Sequence, residues 1–211
     1  MIRFSFFRIP VEIQPWFWVS LALIGGIIGV DDARGLFFTA VFVLAGAISI
    51  FVHELGHVLA GRAFGARSAI TLYAFGGLAT FPGGSFTRSQ SFLVSAAGPV
   101  IQLLLAAATW FILFLLPLRL PTDAAFWFLL SLNWVSLYWA LLNLIPVIPL
   151  DGGQMMQSLL GPRRLPLALR VSMITAVVGA AVLWLKFNSI LFPIVLLSFA
   201  WQNHQMGGRF R

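Results

Sequence analysis

Charged residues are scarce in this chain and cysteine is missing altogether. Asp, Glu, Lys and Arg make up 9% of the 211 residues, against about 25% in soluble domains. That leaves too little polar surface to clothe a water-soluble globule. The absence of Cys excludes disulfides, thiolate metal ligands and cysteine nucleophiles, so any metal has to be held by His, Asp or Glu. Those are few as well, with 3 His and 6 acidic residues. What the chain does have is apolar mass, at 60% hydrophobic residues, which places it in a bilayer. A formal charge of +7 raises nucleic acid as a partner. However, the Lys and Arg residues stand in ones to threes between apolar stretches of membrane-spanning length. This is the pattern of loop charges that set topology, and nucleic acid is set aside.

The expected fold is an all-α polytopic membrane protein of about six transmembrane helices with a small re-entrant β-hairpin, the 211 residues forming a single integral membrane domain. The spans fall near residues 15–30, 36–61, 91–116, 124–144, 166–185 and 188–203. Trp16 and Trp18 open the first span after Arg3 and Arg8. A cleaved signal peptide is the alternative for that segment, but no small-residue cleavage site leads into a soluble domain. Residues 68–82 are broken by Gly76, Gly77 and Pro82 and read as the hairpin, while Pro146, Pro149 and Gly152-Gly153 interrupt the helix over 145–160. Broken backbone at membrane depth survives only where it lines a cavity or is buried in protein, so that interruption marks a site. Cytoplasmic termini put Arg3, Arg8, Arg62, Arg67, Arg88, Arg163, Arg164, Arg170, Arg209 and Arg211 inside, and Arg34, Arg119 and Lys186 outside. The expected location is a prokaryotic cell membrane. Short loops leave no room for an appended soluble domain, and no internal repeat is present.

Glu12, Asp31, Asp32 and Asp123 fall in loops or interfaces, which leaves Glu54 and Asp151 as the intramembrane carboxylates and functional candidates. Glu54 sits in His53-Glu54-Leu55-Gly56-His57. Two histidines four apart on a helix lie about 40° from each other, on one face, and both imidazoles can reach one zinc ion. Glu54, about 100° around from His53, suits a general base toward a metal-activated water better than a third ligand. Tetrahedral zinc needs one more protein ligand, and Asp151 is the obvious supplier, on the interrupted segment at the same side of the bilayer. A helix N-cap is the other reading of Asp151.

An intramembrane HExxH followed on a later span by Asn-x-x-Pro-x-x-x-Leu-Asp-Gly resembles the site-2 protease family of intramembrane zinc metalloproteases, in a compact form without an appended PDZ or CBS domain. The resemblance rests on HELGH, on Phe75-Gly76-Gly77, on Ala97-Gly98-Pro99 and on NLIPVIPLDGG from Asn143 to Gly153. It implies one Zn2+ on His53, His57 and Asp151, Glu54 as catalytic base, and cleavage of a transmembrane segment of a membrane-protein substrate by regulated intramembrane proteolysis. It also implies that Asn143 binds substrate or steadies the oxyanion, a task suited to an amide donor. A polar interhelical bond is the plainer role for Asn143. One departure is Gln102, four residues after Gly98, where family members often carry Asn.

A transmembrane substrate arrives helical, with its amides satisfied, yet must be extended for its carbonyl to reach the metal. A strand edge over Tyr73 to Phe81, including Phe75, Gly76 and Gly77, would meet the unwound backbone by strand addition. A loop that only plugs the bundle is the alternative. Gly83, Gly84 and Ser85, or Gly25, Gly26 and Gly29 in the first span, are candidate gates, and His204 reads as interfacial. The expected partners are the lipid bilayer, a transmembrane substrate and a separate regulatory membrane protein. The rival functions are a transmembrane metal carrier, which has no need of a Glu beside the metal and commonly shows repeated halves, and an inactive relative that binds membrane proteins.

Overall fold

Four apolar runs become helices long and apolar enough to cross a membrane in the computed structural model, which describes residues 1–74, 76–116, 122–187 and 190–208. They are α2 (Ala33–Ala63), α3 (Arg88–Phe114), α4 (Asp123–Asn143) and α6 (Leu165–Phe187). The interrupted segment resolves into a loop over 144–150 and the short helix α5 (Asp151–Leu160). The first expected span is cut short. Helix α1 (Pro15–Ile24) runs for 10 residues, about 15 Å and half a hydrocarbon core, before Gly26 takes a left-handed φ of 85° and a 3-10 turn follows at Ile27–Gly29. The last, α7 (Leu191–Gly208), ends in the polar turns WQNHQMGG, which dilute its hydropathy. Among the described residues, therefore, four helices rather than six qualify by length and composition. Pro117, Arg119, Arg209 and Arg211 lie outside the described residues.

The all-α expectation is corrected by a four-stranded sheet. The hairpin expected over 68–82 is present as β3 (Ala69–Tyr73) and β4 (Gly76–Thr80), paired antiparallel. It is joined by a second hairpin at the N-terminus, β1 (Ile2–Phe6) and β2 (Ile9–Ile13), with β2 running parallel to β3. The order is β1-β2-β3-β4, so β4 is an edge strand. Alternation of Ile9 and Val11 on β2 with Ile70 and Leu72 on β3 buries one face against Ile50 and Val58 of α2. The β1–β2 turn places Phe7 and Arg8 at φ of 46° and 61°, values uncommon for residues with a side chain. Arg62, at the last turn of α2, donates to both of their carbonyls, at 3.0 Å and 2.7 Å, and to the Ser68 hydroxyl at 3.2 Å. A residue read from the sequence as a topology charge is thus a tether between helix and sheet.

By packing, the chain divides into two units, Met1–Ser85 with Ala97–Ala140, and Phe86–Ala96 with Leu141–Arg211. The first holds the sheet, α1, α2, most of α3 and nearly all of α4. Inside it, Gly56 of α2 faces Ala97 of α3 so closely that a Cβ would stand 2.6 Å from the Ala97 carbonyl oxygen. Such contacts between small residues let membrane helices approach without a hydrophobic driving force. Asn133 of α4 donates to the Ala106 carbonyl at 2.6 Å and the Thr109 hydroxyl at 3.1 Å, both on α3.

The second unit holds the start of α3, the 144–150 loop, α5, α6 and α7. Its α3 segment begins in a capping box, with the Gln90 amide donating to Thr87 Oγ1 and the Thr87 amide to Gln90 Oε1. Two apolar clusters fill it, Val147 with Ala176, Ala180 and Leu196, and Ile148 with Ala168 and Leu169.

Candidate metal centre

On α2 the helical spacing does what the sequence requires of it. His53, Glu54 and His57 are all buried, and the two Nε2 atoms converge to 3.1 Å with the rings edge to face. Two ring nitrogens aimed at one point on one helix face form a bite for a single cation, so the donor set fits a zinc ion.

The orientation of His53 follows from its neighbours. Gln102 on α3 is fully buried, and its Nε2 donates to the Ser49 hydroxyl at 2.8 Å and the Ser49 carbonyl at 3.4 Å. A backbone carbonyl only accepts, so the amide nitrogen faces Ser49 and Oε1 faces His53, 2.9 Å from Nδ1. The Nδ1 atom therefore carries the proton, and the lone pair of His53 sits on Nε2, where a metal would need it. The chain continues to Ser136 on α4, whose hydroxyl lies 2.9 Å from that of Ser49. Gln102 thus acquires a role that its sequence position alone did not specify, and Ser49 and Ser136, unremarked in the sequence, complete the relay. The available signal was polarity in otherwise apolar spans. Replacing Gln102 by Leu is expected to weaken zinc binding about 10–100-fold, measured by chelator competition on the detergent-purified protein.

Glycines bring the neighbouring backbones into contact with these side chains. A Cβ on Gly98 of α3 would overlap His57 Nε2, and a Cβ on Gly77 of β4 would overlap the Glu54 side chain. The edge strand therefore runs directly against the carboxylate. Gly76 and Tyr73 sit opposite each other at the end of the β3–β4 ladder, Gly76 buried and Tyr73 exposed. Burial of part of its ring, and then the charge of Glu54, push the Tyr73 phenol above its ordinary range, so it stays a neutral hydroxyl donor at physiological pH. Phe75 lies outside the described residues.

The remaining two candidates belong to the second unit. Asn143 is the last residue of α4 and half-buried, and Asp151 is the first residue of α5 and buried. The N-cap of α5 is Leu150, with no side-chain cap bond, so the N-cap reading of Asp151 does not hold. Gly152 and Gly153 are required because the 144–148 backbone folds back over the start of α5. A Cβ on Gly153 would stand 2.5 Å from the Val147 carbonyl carbon, and one on Gly152 would overlap the Leu144 carbonyl.

A family model described as peptidase family M50 matches residues 41–126 and 119–186. A Synechocystis protein named "Putative zinc metalloprotease sll0528" is 37% identical over 168 residues, 74% of this chain and 42% of its own length. The zinc metalloprotease Rip3 of Mycobacterium tuberculosis, named with the same qualifier, is 34% identical over 129 residues, 59% of this chain and 31% of its own. The chain thus spans less than half the length of these curated relatives. Among solved structures, the site-2 protease from Methanocaldococcus jannaschii aligns with a TM-score of 0.69 at 23% identity, over 98% of this chain and 94% of that one, a likeness of fold.

Proposed function

The chain belongs to peptidase family M50, and from that membership we propose that it is a zinc endopeptidase that hydrolyses a peptide bond within or near the transmembrane segment of a membrane-protein substrate. The observation that carries the reading is the convergence of His53 and His57 at 3.1 Å, with Glu54 between them in sequence and packed against an edge strand. His53, His57 and Asp151 hold the metal. Zinc, when bound, supplies the Lewis acidity that makes a water nucleophilic near neutral pH and polarises the scissile carbonyl. Glu54 takes the proton from the attacking water on its carboxylate and returns it to the departing amine. Gln102 keeps the Nδ1 proton of His53 in place throughout. Asn143 offers its amide to the substrate or the developing oxyanion.

The open edge of β4, with Gly76 and Gly77, receives the unwound substrate by strand addition next to Glu54, and Tyr73 and Phe75 are further substrate contacts. Main-chain pairing satisfies the amides that leave the substrate helix, and it leaves sequence preference loose. With α1 and α7 added to the four apolar helices, the chain crosses the membrane six times, with both termini in the cytoplasm of a prokaryotic cell and the metal near that face. The activity belongs to regulated intramembrane proteolysis, with substrate choice delegated to a separate regulatory membrane protein.

The test is metal content first and cleavage second. Detergent-purified protein is expected to hold about one zinc per chain. Asp151→Ala is expected to weaken zinc by more than the ~10–100-fold typical of losing an outer partner. Protein in liposomes is then expected to cut members of a panel of single-span membrane proteins, with activity removed by a chelator and restored by zinc. A folded sample that takes up no zinc on supplementation would end the metalloprotease reading in favour of an inactive binding protein.

A further inference from the structure

The 144–150 loop, which leads into Asp151, is non-helical backbone that buries Val147 and Ile148 in an apolar unit, where a buried N–H or C=O needs a partner. Two polar side chains from different helices supply partners to the same residue. The amide of Ile148 donates to Ser172 Oγ on α6 at 2.8 Å, and Asn203 Nδ2 on α7 donates to the Ile148 carbonyl at 2.9 Å. Asn203 Nδ2 also donates to Ser172 Oγ at 2.7 Å, which closes a triangle. The amide orientation of Asn203 is fixed by this arrangement, because the Ile148 carbonyl can only accept. Ser172 and Asn203 have no exposed surface, and Ile148 is 8% exposed.

We propose that Ser172 and Asn203 are positioning residues, a clamp that fixes Ile148 and through it the carboxylate of Asp151 for the metal. The inference rests on Asp151 being a ligand, as proposed above. Both side chains are spent on one residue, three before Asp151, instead of being spread along the loop. The path from Ile148 to Asp151 is short and stiff. The Leu150 amide donates to the Val147 carbonyl at 2.7 Å, Gln154 Nε2 donates to the Pro149 carbonyl at 3.0 Å, and Gly153 presses on the Val147 backbone. A shift of Ile148 therefore has little slack in which to dissipate before it reaches Asp151. Closed networks of buried polar groups specify one geometry, and groups that hold a metal ligand in place set metal affinity about 10–100-fold.

The alternative is that the pair only satisfies loop backbone, and a double-mutant cycle separates the two. Zinc affinity is measured by chelator competition on the full chain in detergent, with size exclusion and thermal unfolding confirming a folded sample. The variants are Ser172→Ala and, as an independent break of the same triangle, Asn203→Ser, whose side chain is too short to reach Ile148. Each is combined with Asp151→Ala. A clamp acting through Asp151 lowers zinc affinity about 10–100-fold when Asp151 is present and has no further effect once it is gone. An unchanged zinc affinity in a folded variant, or an equal loss with and without Asp151, would overturn the clamp even if the unfolding temperature falls. If Asp151→Ala by itself left zinc affinity unaltered, the ligand assignment would fall, and the clamp with it. A neutral Ser172→Ala beside a damaging Asp151→Ala removes the clamp alone.

Discussion

Glu54→Gln is expected to lower kcat for peptide hydrolysis about 10²–10⁴-fold while zinc stays bound at about one per chain. Gln has nearly the shape of Glu, so the close packing of the side chain against Gly77 survives and the spacing of His53 and His57 is untouched. What is lost is the ability to accept a proton from water. The substitution also removes the negative charge beside Tyr73, one of the two causes that hold its phenol above the ordinary range, so that group should shift downward. Zinc content and single-turnover cleavage in liposomes are the measurements. Loss of zinc in Glu54→Gln would make Glu54 a ligand, and full activity would remove it as the base.

The helix that carries His53, Glu54 and His57 was legible because its signal is local. Histidines four apart on a helix share a face whatever surrounds them, and an apolar run of this length has few alternatives to α2. The break before Asp151 was legible for a similar reason, since Pro146, Pro149 and the glycine pair cannot continue α4. What escaped was non-local. The N-terminal hairpin has an alternating pattern, Ile2 to Phe6 and Ile9 to Ile13, but neither strand is stable alone. It exists because β2 finds β3, more than fifty residues away, and because Arg62 caps a turn of two non-glycine residues at positive φ. The break in the first apolar run was not legible either, because hydropathy summed over 15–30 takes no account of the left-handed Gly26. The Gln102 relay and the Ser172–Asn203 triangle were visible only as polar residues in apolar helices, and a pattern along one chain cannot say which helix each one faces.

Gly98→Ala is the second change with a large expected effect, because one methyl group would sit where His57 now places Nε2. In most helices this exchange is stabilising by close to 1 kcal/mol, Ala being the better helix former. Here the helix is locked against its neighbour. Gly56 of α2 rests on the Ala97 carbonyl of α3, so parting the two backbones to make room would give up that close contact. His57 is buried beside His53 and has to rotate away, carrying its ring nitrogen off the point where both imidazoles converge. A misplacement of about 1 Å at a reacting centre costs on the order of 10²-fold in rate. The expected outcome is therefore a folded protein with weakened zinc binding and at least about a 100-fold loss in kcat/KM. The same exchange at Gly208, where a Cβ would meet nothing within 4 Å, serves as the control and should leave both quantities unchanged. Wild-type zinc affinity in Gly98→Ala would mean that the His57 ring points elsewhere when metal is bound, and the pairing of His53 and His57 as ligands would have to be given up.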